Sequence, residues 1–294
     1  MRTVITLIAL LAVVVAGILW ANRPVTITIS AGLPDEFPAD GFSHRTFEAL
    51  LQEYVNSSGD VDYDIWHASQ QSLDQLNSYL AAVAAYSPDS TPDRFDTRTD
   101  ELAYWMYGYN AYVISGVLSN WPINSVTDVK APIEAVKGLG FFYRNRYIFG
   151  GKAYSLLHVE NEKIRARFKD PRIHFVLNCA SESCPVLRPE LPTGNELELL
   201  LADATQKFVS EPRNVFIDHD KKVIRLSAIF KMYREDFINH VRASGRPVSN
   251  GVLTYILDVA PDRLRSEIEK ARDYEIEFSD FDWSLNNSDA LEKA

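Results

Sequence analysis

The chain has 294 residues, enough for one large domain or two small ones. Its 46% hydrophobic and 12% aromatic content suits a sizeable core and excludes disordered, collagen-like and coiled-coil classes. A net charge of −10 and a pI near 5.1 argue against a nucleic-acid binder or broad adhesion to anionic lipid. Two cysteines are too few for a disulfide scaffold or a four-thiolate zinc site.

Residues 4–20, VITLIALLAVVVAGILW, are uncharged and have no polar face, the pattern of a membrane anchor or signal segment. Leu19 makes cleavage after Ala21 unfavourable, which tips the reading toward a retained anchor. Arg2 on the short leading side orients everything after Asn22 outward, into the periplasm. The expected organisation is anchor or signal over 1–22, linker over 23–40, one globular domain over 41–286 and a flexible tail over 287–294.

Apolar spacing predicts helices over Phe42–Val55 and Leu73–Val83, with VDYDIW between them as a short strand or extended link. Thr99 or Asp100 caps a third helix, ELAYWMYGYNAYVISGVL, apolar nearly all round and therefore central. Phe141–Tyr143 and Tyr147–Phe149 read as a hairpin, and His158–Phe168 as a short amphipathic helix. IHFVLNC, between Pro171 and a serine-rich loop, reads as a buried strand. Leu197–Phe208 predicts a helix and VFIDHDKKVIRL a hairpin turning at Asp218–Lys221. Ser227 caps a helix reaching Val241, two more helices follow, and YEIEFSDFDW closes as a strand, with Asp282 and Trp283 as a structural anchor. The sum is a single α+β domain with a short central sheet flanked by helices.

DPRIHFVLNCASESCP concentrates the candidate chemistry. A thiol ending a strand, followed by small polar residues, offers sulfur at a sheet edge, and Ser181 and Ser183 could turn backbone N–H groups toward it as an oxyanion hole. In a regular strand His174 faces away from Cys179, so His158 and Glu160 form an alternative base and orienting acid. Three readings of the cysteines stand open: a reactive Cys179, a Cys179–Cys184 disulfide, and inert thiols. Strand direction and Pro185 favour free thiols. His219 between two aspartates reads as a solvated turn. Asn110, inside an apolar helix, needs a buried partner. No motif calls for a cofactor or metal.

These segments resemble the bacterial and plant family known as domain of unknown function 547 (DUF547). The likeness runs through VDYDIW, LAYWMYGYNAYVISGVL, SLLHVENEKIR, DPRIHFVLNCASESCP, LSAIFKMYREDF and FDWSLNN, from about 44 to 286. It assigns Glu160 to the family's acidic position, His174 and Cys179 to the strand motif and Asn110 to the aromatic helix. Its motif order is similar to thiol-hydrolase arrangements. Two departures stand out: Asn161 where the family has a histidine after the glutamate, and Tyr107 where it has an asparagine. The first functional reading is an envelope-facing cysteine hydrolase or acyl/peptidyl transferase acting on an amide or ester, and export alone suggests an envelope peptide or lipoprotein as its substrate. In that reading Cys179 is the nucleophile, His158 or His174 the base, Glu160 its orienter, and Asn178 or loop amides the oxyanion donors. The departures favour the alternative, a membrane-tethered binding or scaffold protein without catalysis.

Overall fold

A computed structural model describes residues 2–134, 136–248 and 251–288; of these, the side chains of residues 2–7 and 9 are not described. In chain order the elements are α1 (Arg2–Ala21), β1 (Val25–Ile27), α2 (Arg45–Tyr54), α3 (Tyr63–Ala68), α4 (Gln70–Ala85), α5 (Arg98–Leu118), β2 (Asn145–Phe149) and β3 (Lys152–Ser155). There follow α6 (Leu156–His158), α7 (Ala166–Phe168), α8 (Gly194–Ser210), β4 (Val215–Asp218), β5 (Val223–Leu226), α9 (Ala228–Met232), α10 (Arg234–Ala243), α11 (Gly251–Val259), α12 (Asp262–Lys270) and β6 (Glu275–Phe278). The class is α+β.

The core is built round α5. Thr97 and Asp100 form a capping box at its start, two residues before the expected cap. Leu102–Leu118 are buried without a break, so the helix has no solvent face. Its four tyrosines remain compatible with burial because each hydroxyl finds an acceptor: Tyr104 donates to Val83 O, Tyr107 to Pro192 O and Tyr112 to Ile148 O at 2.7–2.8 Å, and Tyr109 to the Glu160 carboxylate at 3.3 Å. Gly108 and Gly116 leave room for Phe149 and Phe141 to pack directly on the helix.

The expected single central sheet is instead two separate three-stranded sheets, β1-β2-β3 and β4-β5-β6. The strand assigned to IHFVLNC is the missing centrepiece. Asp170 caps Arg172 N–H, Pro171 takes the first helical position, and Pro171–Phe175 winds into a 3-10 helix. The first hairpin also shifts: Phe141–Tyr143 lie in a π-helical segment, Leu139–Arg144, and the turn falls at Gly150–Gly151, both with positive φ, between β2 and β3. The hairpin of β4 and β5 stands where expected; of the closing strand expected over 274–283, β6 covers Glu275–Phe278 and the rest leaves the sheet. VDYDIW is an isolated bridge at Val61 followed by α3, which Asp62 caps through Ile65 N–H.

The segment 23–40 does not run free. Val25–Ile27 pair in parallel with β2, Phe37 stacks on Tyr86, and Arg94 donates to the carbonyls of Ala39 and Gly41 at 2.7 and 2.8 Å. At the other end, Asn287 and Ser288 are tied to Val61; the remainder of the expected tail, 289–294, lies outside the described residues. α1 is exposed at every described side chain from Leu10 to Trp20. Part of the apolar run lies outside the described side chains, and among the described residues no helix is long and apolar enough to cross a membrane.

Candidate functional site

Cys179 and Cys184 are joined by a disulfide, with Cα atoms 6.3 Å apart, and neither is a free thiol. The expectation of free thiols is therefore corrected. It rested on a strand fixing the direction of Cys179, and no strand is present: the coil after Phe175 turns through Ala180, at φ 60°, and folds the two sulfurs together.

The loop between the cysteines spends its polar groups internally. Ala180 N–H donates to Asn178 Oδ1, Cys179 N–H faces Cys184 Sγ, and Cys184 N–H donates to Ser181 O. Glu182 and Ser183 N–H donate to the carbonyls of Ser284 and Asp282, and Ser183 Oγ accepts from Asp282 N–H. The side-chain amide of Asn178 donates to Pro185 O at 2.8 Å. Glu182 and Ser183 thus hold the loop against the C-terminal strap, while Ser181 and Asn178 tie it to itself. The strap carries Asp282 and Trp283 in the structural role read from the sequence, Trp283 packing on Phe281. Asn110 supplies the other clamp: its amide donates to Val176 O and its carbonyl accepts from Asn178 N–H, both buried.

Of the expected catalytic side chains, Glu160 and His174 come together around Tyr233 and Arg165, and His158 does not join them. His158 is exposed and stacks on Tyr154 at 4.8 Å, while Glu160 is buried, because the π-helical turn Val159–Arg165 brings Val159 and Glu160 together onto the inner face. Glu160 accepts from Tyr109 O–H at 3.3 Å. His174 Nε2 lies 2.8 Å from Asp236 Oδ2 and its ring stacks on Tyr233 at 3.8 Å. Arg165 grips the same carboxylate through Nε and Nη2 and also bonds Asn161. Burial alone would raise the Asp236 carboxyl, but His174 and Arg165 hold it down to about 2. Burial lowers His174 despite Asp236, so a neutral ring donates its Nε2 proton to an ionised acceptor. No hydrogen bond joins His174, His158 or Glu160 to Cys179. Asn161, the departure from the family pattern, serves as an acceptor for Arg165.

Residues 92–209 match the family described as "Protein of unknown function, DUF547". The chain contains a DUF547 domain. The match runs from the turn before α5 to the end of α8, so Asn110, Glu160, His174 and the disulfide loop lie within it. Asp236, the partner of His174, and the strap that pins the loop come from beyond the matched region of the DUF547 domain. No curated protein matches the chain, and no solved structure does.

One feature escaped the sequence reading. A cavity of about 1220 Å³ opens between residues 33–38, the start of α2, the exposed side of α4 and Leu191. His44 lines it while 94% buried, its Nδ1 2.8 Å from the Tyr79 hydroxyl and its ring against Phe42 and Tyr107. Burial drives His44 down to about 3, against the pull of Asp100. A lone histidine before an amphipathic helix carries no motif, and its aromatic surround is assembled from three separate elements. Among the described residues, no three His, Cys, Asp or Glu side chains come together to hold a metal ion.

Proposed function

We propose that the chain is a membrane-tethered, exported binding or scaffold domain of the cell envelope, in which Cys179–Cys184 is a structural staple and not a nucleophile. The observation that carries this reading is the state of Cys179: its sulfur is bonded to Cys184, and five amides around it already have internal partners. A nucleophilic thiolate and an oxyanion hole both need those groups free. A disulfide accords with an oxidising compartment. The apolar side chains of α1, Leu10, Leu11, Val13, Leu19 and Trp20 among them, are exposed, which accords with a lipid-embedded helix.

Two single substitutions separate the readings. Cys179→Ser and Cys184→Ser remove the same bridge, so a staple predicts equal effects in complementing a deletion strain. A nucleophile predicts a null phenotype from Cys179→Ser alone, with Cys184→Ser active. The tether is tested by alkaline extraction of membranes: the full chain stays in the pellet and a chain lacking residues 2–21 is released.

A further inference from the structure

The cavity at the start of α2 is a built feature. Arg94 fixes one wall by capping the carbonyls of Pro38, Ala39 and Gly41 while its guanidinium lies 3.9 Å over the Tyr86 ring. Leu191 N–H, donating to Glu48 Oε1 at 3.0 Å, fixes the opposite wall. The site is therefore formed before any ligand arrives, as small-molecule sites usually are.

His44 sets the polar chemistry of the floor. Tyr79 is fully buried, and among the described residues its hydroxyl has one hydrogen-bond partner, His44 Nδ1. Orienting the proton the other way would orphan a buried O–H donor, so Tyr79 donates and His44 carries its own proton on Nε2. Burial keeps the ring neutral. Nε2–H has no hydrogen-bond partner among the described residues, and the ring lines the cavity. His44 thus adds a buried neutral donor to the hydroxyls and amides of Ser43, Thr46, Gln71, Gln75 and Ser78 that also line the cavity, and that donor calls for an oxygen acceptor on the ligand.

The walls set the charge. Asp35, Glu36, Glu48 and Asp74 line the cavity against a single cation, Arg45. That excess repels carboxylates and phosphates and favours an ammonium group. Leu33, Pro34 and Phe37 supply an apolar wall on which the C–H face of a sugar ring can lie.

We propose that this cavity binds a cationic, hydroxyl-bearing amine of the amino-sugar class, one oxygen accepting from His44 Nε2–H and the ammonium facing Asp35, Glu36 and Asp74. The inference rests on the binding-domain reading and gives it a ligand.

The test is titration calorimetry on the full chain in nonionic-detergent micelles at about pH 6, with three probes: glucosamine tetramer, N-acetylglucosamine tetramer and galacturonic acid tetramer. The glucosamine tetramer is expected to bind about tenfold more tightly than its neutral N-acetyl counterpart, and the acidic oligomer not to bind. His44→Phe keeps the aromatic packing and loses the donor, weakening binding about three- to tenfold, whereas His44→Gln keeps a donor and stays within about threefold of the parent. Asp35→Asn with Glu36→Gln, two exposed changes that leave the fold alone, weakens binding about fivefold and flattens its salt dependence. Equal affinity for charged and neutral oligomers, preference for the acidic one, no binding of any probe, or indifference to Asp35→Asn/Glu36→Gln would each overturn the assignment. The cysteine substitutions answer separately: if they behave alike while no probe binds, the ligand assignment falls and the domain reading stands.

Discussion

Acidification between pH 6.5 and 4.5 is expected to destabilise the domain through its buried histidines, and His44→Gln isolates one of them. In the unfolded chain His44 titrates near its ordinary 6.5; folded, burial holds it down to about 3. Below pH 6.5 the unfolded state therefore binds a proton that the folded state refuses. The stability this histidine contributes is fully present above 6.5 and is lost as pH falls toward 3. Each pH unit within that window costs about 1.4 kcal/mol, so His44 accounts for about 2–3 kcal/mol between pH 6.5 and 4.5. Carboxylates do not obscure the effect. Asp236, held down to about 2, loses its contribution as pH falls from about 3.9, where an unfolded aspartate protonates, toward 2, a range that lies below this window. His174, also lowered by burial, adds a fall of the same sign. Urea unfolding of the full chain in nonionic detergent, at several pH values across the window, gives both slopes. His44→Gln is expected to remove about 2–3 kcal/mol of the parent's loss. An unchanged pH dependence in the variant would show that His44 is not a buried neutral ring, and the floor of the cavity would have been misread.

Further outcomes follow from single contacts. Asn110→Ala strips Val176 O and Asn178 N–H of a buried partner at 3.1 and 3.0 Å and should cost about 2–4 kcal/mol in denaturant unfolding. Asp236→Ala leaves Arg165 and His174 without their shared carboxylate; an expected loss of about 2–4 kcal/mol is checked the same way. Gly140→Ala would drive a methyl group into the backbone at Val129 and Lys130, so misfolding or a large drop in melting temperature is expected where Gly151→Ala, which meets nothing, shows only backbone strain. Losing the Cys179–Cys184 bridge should cost about 2 kcal/mol, the value for so short a loop, and equally from either cysteine.

Much of the fold can be read from local pattern. α2, α4, α5 and α8 stand where apolar spacing puts them, the β4–β5 hairpin turns where Asp218 begins it, and Ser227 caps α9 as read. Failures came where tertiary context outweighed a short apolar run. IHFVLNC has strand composition, yet Asp170 and Pro171 start a 3-10 turn, and with the strand went the parity argument about His174 and Cys179. The helix expected from Ser227 to Val241 is broken at Tyr233, which stacks on His174. The candidate site was legible as a set of buried polar residues but not as an arrangement. Asn110, Asn178 and Glu160 are all buried and bonded, but Asp236 arrives from far along the chain with no local signal, and the strap at Asp282–Ser288 is legible as an anchor but not in which loop it pins. His44 was overlooked for the same reason: its neighbours Tyr79 and Tyr107 lie on α4 and α5.

The central claim is that Cys179 is spoken for. Intact mass of the full chain, alkylated under denaturing conditions with and without prior reduction, tests it directly. The account predicts that the unreduced chain takes no alkyl group and is lighter than the reduced, unmodified chain by the two hydrogens of the bridge, and that reduction exposes both thiols. An unreduced chain that takes two alkyl groups would mean free cysteines in the folded protein, return Cys179 to candidacy as a nucleophile, and contradict the reading of this loop as a staple.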